Sequence, residues 1–146
     1  MKAGKDFIGV SVAALILNGK NEVLLVKRAP ACKFDAGKWT LIVGEVEYGE
    51  SMEEALKREA MEEAGIEIKN LGMIQLVEIF PKETGVHWVG LDYLCQHIGG
   101  TVENKEPLVH EKLEWFPLDQ LPEPLGASTK ETVGKYLGHA KQGIKK

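Results

Sequence analysis

Arginine is scarce in this sequence. Of 18 basic residues in a chain of 146, only Arg28 and Arg58 carry a guanidinium, so each marks a place where a planar fork of donors is needed and the point charge of lysine does not serve. Cysteine is scarcer in effect. Cys32 and Cys95 stand in unrelated contexts without CxxC spacing, which excludes a disulfide scaffold and a zinc knuckle and points to a reducing, cytoplasmic compartment. The longest apolar stretch, Val10 to Leu17, is far below the ~20 residues of a membrane-spanning helix, and no signal-peptide core follows Met1-Lys2-Ala3-Gly4-Lys5. There is no basic excess. A net charge of −4 and a pI near 5.6 argue against stable binding to a nucleic-acid polymer. Repeats, low-complexity tracts and linkers are also missing, so residues 1–146 are expected to form a single domain of ordinary globular composition.

What is present is a patterned alternation of strands and two helices. Residues 7–17 are β-branched and almost continuously apolar, the mark of a strand buried on both faces. The turn Asn18-Gly19-Lys20-Asn21 predicts a hairpin returning through Val23–Val26. A loop over 29–38 precedes a short strand at 39–43, and Gly44 to Gly49 read as a second loop. Ser51 and Glu54 form a capping box for a helix over 52–64, and Gly65 supplies its stop. Ile66–Ile68, Met73–Phe80, Val86–His97 and Leu113–Phe116 read as further strands, with a turn at Pro81–Gly85. A second helix is expected from about Ser128 to Gln142. The fold class is therefore α+β, a mixed sheet packed against helices.

The first helix is unusual for a surface helix. Glu59, Glu62 and Glu63 fall within one arc of about 100°, which overlaps the side occupied by Met52, Leu56, Ala60 and Ala64. Like charges at i,i+4 cost an isolated helix about 0.2–0.5 kcal/mol per pair. Arg58 lies beside Glu62 and cannot neutralise all three acids. Oxygen-only ligands on a rigid element suit a hard divalent cation, Mg²⁺ or Mn²⁺, although an acidic solvated helix has the same spacing.

The wider pattern is more specific. Gly44-x5-Glu50-x7-Arg58-Glu59-Ala60-x-Glu62-Glu63-x-Gly65-Ile66 resembles the signature of the Nudix hydrolases, G-x5-E-x7-R-E-U-x-E-E-x-G-U, where U is a bulky aliphatic. Lys27-Arg28, Trp39, and Glu114-Trp115-Phe116 followed by Leu121-Pro122 resemble the surrounding strands of MutT-like members. The chain departs from the pattern at Ala60, where Ile, Leu or Val is usual, and at Ile42-Val43, where many members have Pro-Gly. The first should loosen helix packing. The second narrows the backbone freedom of the loop.

The resemblance implies an α/β/α sandwich with a central mixed sheet and a loop-helix-loop. It also implies metal-dependent hydrolysis of a nucleoside diphosphate linked to another group, most simply a (d)NTP or modified (d)NTP converted to (d)NMP and pyrophosphate. ADP-ribose or another nucleoside diphosphate sugar is the alternative substrate, and a non-catalytic nucleotide-binding module the alternative role. Carried onto this chain, Glu59, Glu62 and Glu63 are the metal ligands, with the Val43 carbonyl behind them and Glu50 as a secondary ligand or structural acceptor. Arg58 orients a carboxylate. A further glutamate from outside the box is expected as ligand or base, with Glu111 ahead of Glu106 and Glu103; neither His87 nor His110 is required. Arg28, Trp39, Trp88 and Trp115 are candidates to contact the nucleotide, with Phe34 and His87 as further aromatics that could border a base. Relatives of this size are often homodimers.

Overall fold

The computed structural model describes residues 1–141; Gln142, where the second helix was expected to end, lies outside them. Its centre is β1 (Gly9–Leu17), which pairs in parallel with β6 (Trp88–Gly99) along its whole length. The continuous apolarity of β1 has a direct cause, since its two sets of side chains enter two different cores. Val12, Ala14 and Ile16 join Leu24, Val26 and the inner face of helix α1 (Met52–Ala64). Ala13, Leu15 and Leu17 join Val23, Leu25, Trp39 and Leu41, and are covered by Val133 and Tyr136 of α3 (Ala127–Lys141). A helix therefore lies on each face of a seven-stranded mixed sheet.

The expected hairpin is present only at its closed end. Asn18 accepts from the backbone N–H groups of Lys20 and Glu22, and Leu17 faces Val23. Beyond that pair, β2 (Glu22–Arg28) leaves β1 and zips along β7 (His110–Pro117), from Glu22↔Pro117 to Arg28↔His110. The strand expected at 39–43 divides around Leu41. β3 (Trp39–Thr40) pairs with β2, while β4 (Ile42–Glu45) pairs with β1, so Gly44 sits in a ladder opposite Val12 and not in a free loop. Ile66–Ile68 and Met73–Phe80 are not separate strands. They merge into one long β5 (Glu67–Ile79), which follows the twist of β6 by shifting register three times. Pro81 starts a single helical turn, α2 (Pro81–Thr84), where a simple turn was expected.

Helix α1 begins and ends as its sequence prescribes. The Ser51 hydroxyl accepts from the Glu54 N–H at 3.1 Å, the Glu54 carboxylate accepts from the Ser51 N–H at 2.8 Å, and Gly65 closes the helix at φ 67°. Ala60 is fully buried among Ala55, Leu56 and Ala64; these small residues form much of the helix face packed on the sheet.

Ser51→Ala removes one half of the reciprocal cap and is expected to cost about 1 kcal/mol. Thermal unfolding should report a fall of about 3 °C, with the urea m-value unchanged. An unchanged midpoint would mean that the cap adds nothing to the packed helix.

Candidate functional site

The loop before α1 is bound to the helix by one side chain. Arg58 Nε donates to Glu50 Oε2 at 2.6 Å and Nη2 donates to Glu50 Oε1 at 2.9 Å, a bidentate fork. Nη1 donates to Glu59 at 2.9 Å and to Glu62 at 3.2 Å, and Nη2 also reaches the Glu45 carbonyl at 2.9 Å. Of the two roles expected for Glu50, secondary ligand or structural acceptor, these contacts are those of the acceptor. It receives the guanidinium and also accepts from the Glu47 N–H at 3.0 Å. These contacts hold its carboxyl down at about 2, with the Arg58 hydrogen bond as the largest cause. The same contacts raise the guanidinium above its usual range.

Glu63 faces the other way. It is 7% exposed and shares a hydrogen bond with Glu59; burial first, then Glu59 and Glu106, push its carboxyl well above the usual range. His110 Nε2 stands 3.6 Å from Glu63 Oε1. At 2% exposed, His110 is shifted down to about 4 by burial and by Arg28, so the ring is neutral at pH 7. Its Nδ1 is buried without a hydrogen-bond partner among the described residues.

The segment 103–110, which carries the runner-up outside glutamates Glu103 and Glu106, closes this site. Its backbone docks on the end of α1 through Glu103 N–H to the Ala64 carbonyl and Lys105 N–H to the Glu63 carbonyl. Asn104 then donates to the His110 carbonyl at 2.7 Å. This places Glu106 in the field of Glu59 and Glu62, which together with burial raise its carboxyl. Glu111, the first choice for the outside glutamate, is exposed on β7 at the register shift between Lys27 and Arg28. Its side chain makes no hydrogen bond or ion pair among the described residues. Of the outside glutamates expected, Glu106 is the one that feels the acids of the signature.

Gly44 fits closely against the acids. A Cβ on this residue would collide with the Glu59 carboxylate, so the glycine leaves the hollow in which that carboxylate lies. Among the described residues no three His, Cys, Asp or Glu side chains are gathered ready-made around one point, and Glu50, Glu59 and Glu62 are each bonded to Arg58. The set of donors nevertheless suits a hard divalent cation: all are oxygens, and burial first, with Glu59 and Glu106 beside it, keeps a proton on Glu63 that a cation could replace.

Beside Gly44 opens a cavity of about 430 Å³. Val43, Val86, Ile79, Phe34 and Trp88 give it apolar walls, and Arg28, Asp35, Thr40, Ser128 and Thr129 add polar groups. Arg28 and Trp88, two of the expected nucleotide contacts, line this cavity. Trp39 and Trp115 are not among the lining residues. Trp39 is 6% exposed and meets Phe116 edge-on at 4.9 Å, while Trp115 packs on the α1 core and against His97. Both are packing residues. His87 packs against Phe80, also away from the cavity lining.

The model of the NUDIX domain matches residues 8–136. The chain is 33% identical over 119 residues to the 8-oxo-dGDP phosphatase NUDT18 of Mus musculus, covering 80% of this chain and 34% of that protein. It is likewise 33% identical over 129 residues to the NAD-capped RNA hydrolase NudC of Pseudomonas syringae pv. tomato, covering 88% of this chain and 42% of that one. It thus spans well under half the length of these relatives. Among solved structures, a MutT NUDIX hydrolase from Burkholderia pseudomallei superposes with a TM-score of 0.79 at 35% identity, covering 89% of this chain and 98% of that one.

The raised carboxyl of Glu63 has a thermodynamic sign. The folded protein retains a proton that the unfolded chain releases near pH 4.5, so this contribution to stability is complete below that pH and is lost as pH rises through the folded pKa. With chelator present, Glu63→Gln should stabilise the protein at pH 8 by roughly 1–3 kcal/mol relative to the parent and have little effect at pH 4.5. Parallel melting curves for parent and variant across pH 5 to 8 would show that Glu63 is ionised throughout.

Proposed function

The chain belongs to the Nudix family, and we propose that it is a metal-dependent pyrophosphohydrolase that converts a (d)NTP or modified (d)NTP to the (d)NMP and pyrophosphate, with water attacking phosphorus. The observation that carries this reading is the placement of Glu59, Glu62 and Glu63 on one helix beside a nucleotide-sized cavity, with the Gly44 hollow between them. The names of the NUDT18 and NudC relatives support a nucleotide with a diphosphate linkage.

Glu59, Glu62 and Glu63 would hold Mg²⁺ or Mn²⁺, with the Val43 carbonyl and Glu50 as further oxygen ligands in reserve. A bound cation supplies a Lewis acid for the phosphoanhydride oxygens and lowers the pKa of the attacking water. Glu63 must first give up the proton that burial keeps on it, which makes cation affinity rise with pH. Arg58 acts through the acids: its fork fixes Glu59 and Glu62 relative to the loop so that they need not be ordered when substrate arrives.

Glu106 is the group to accept the proton of the attacking water. Its raised carboxyl brings its basicity closer to neutral pH than an exposed glutamate would offer. Arg28 lies close enough to Glu63 and His110 to influence both, and it lines the cavity. That position suits it to receive phosphate oxygens between the base and the acids. The apolar walls exclude water from the sugar and base.

The test is a panel of (d)NTPs, oxidised (d)NTPs, ADP-ribose and dinucleoside polyphosphates with Mg²⁺ or Mn²⁺, scored by kcat/KM and by product. Pyrophosphate release from a nucleoside triphosphate is the expected result; inorganic phosphate alone would place the cut elsewhere. Glu59→Gln or Glu62→Gln should lower kcat by about two orders of magnitude or more while leaving the melting curve intact. Activity within a few-fold of the parent would sink the assignment.

A further inference from the structure

The cavity has two chemically different ends. Gly44 and Glu45 border the acids of α1, whereas Asp35 and Thr40 meet the start of α3 at Gly126, Ser128 and Thr129. The Asp35 end is tightly built. Trp39 N–H donates to the Pro124 carbonyl and Gly126 N–H donates back to the Trp39 carbonyl, so the chain leading into α3 lies along β3. Leu41 N–H donates to the Thr129 hydroxyl at 3.1 Å and fixes the first turn of the helix.

The Asp35 side chain rests over Gly126. A Cβ there would stand 3.2 Å from Asp35 Oδ2 and 3.0 Å from the Thr40 methyl, so the glycine leaves the space that the carboxylate fills. Arg28 steadies the loop from the other side by donating to the Phe34 carbonyl at 3.3 Å. Asp35 itself has a left-handed backbone, φ 54°, a conformation that Asp and Asn tolerate better than other side chains.

Despite this placement, the carboxylate accepts no hydrogen bond and meets no cation among the described residues. It is a half-buried acceptor in a mainly apolar cavity, and such a group gains most from a ligand that brings donors to it.

We infer that Asp35 reads the base: it accepts the two adjacent N–H donors, N1–H and the 2-amino group, that a guanine-type purine presents on one edge. The inference rests on the cavity being the nucleotide site. Two parallel N–H groups match the two oxygens of one carboxylate, and the bonds are charge-assisted. Adenine offers an acceptor and a single amino donor on the corresponding edge, so one carboxylate oxygen would face a lone pair. Cytosine and thymine lack the paired donors. Oxidation of guanine at C8 leaves this edge intact, so Asp35 admits guanine and its oxidised form alike.

Asp35→Asn separates base reading from loop structure, because asparagine tolerates the same backbone but turns one acceptor into a donor. The first measurement is kcat/KM for dGTP, dITP and dATP with Mg²⁺. The second needs no turnover: dGMP, dIMP and dAMP are titrated in EDTA, with tryptophan fluorescence as the readout. In the parent, guanine should exceed adenine by about 10-fold or more in both, and hypoxanthine, which lacks the 2-amino group, should fall between them. In Asp35→Asn the guanine-to-adenine ratio should collapse toward one.

A preference for dGMP that disappears in the variant, without hydrolysis of any nucleotide, would uphold Asp35 as the base reader and overturn the hydrolase reading. Hydrolysis with equal losses for guanine and adenine in the variant, or a parent that binds dGMP and dAMP alike, would overturn the inference and leave the hydrolase reading standing.

Discussion

Negative charge concentrated on one buried helix edge is the constraint around which this structure is arranged. Glu59 and Glu63 lie one turn apart, and Glu63 is carried into the interior. In a low-dielectric setting their repulsion is too large to leave uncompensated. Two responses are visible. The guanidinium of Arg58 pairs with Glu59 and Glu62, and the raised carboxyl of Glu63 favours its neutral form. On the proposed function, a bound dication would replace both compensations.

That arrangement depends on the sheet. β4 fixes Gly44 against β1, and Gly44 in turn sets how closely the Glu59 carboxylate approaches the backbone. The 103–110 segment is held by β7 at one end and by the last turn of α1 at the other, so Glu106 and His110 are placed by backbone bonds and do not depend on their own side chains for position. One of the two arginines binds the loop to the helix and the other lines the cavity. Lysine could supply the charge at either place, but not the fork that Arg58 uses to bridge Glu50 with Glu59 and Glu62.

Much of this was legible from local sequence. The cap, the stop and the acidic arc of α1 are properties of neighbouring residues, and the two-faced apolarity of β1 announces burial on both sides. What could not be read was pairing at a distance. Nothing local says that β2 abandons β1 for β7, or that the chain changes partner at Leu41. For the same reason Glu111, which has the more inviting spacing to Trp115, proved exposed while Glu106 lies by the acids. The tryptophans divide by a similar logic. All three read as possible base contacts, but Trp39 and Trp115 point into cores formed by remote segments, and only Trp88 lines the cavity.

The change of partner at Leu41 also makes the chain a ruler. Thr40, at the end of the cavity that meets α3, and Gly44, at the end that meets the acids, belong to one nearly extended stretch held by β2 before Leu41 and by β1 after it. Four residues of strand span no more than about 13 Å. The ladders on both sides of Leu41 therefore fix how far Thr40 stands from Gly44, and these two cavity-lining positions cannot separate without breaking one of them.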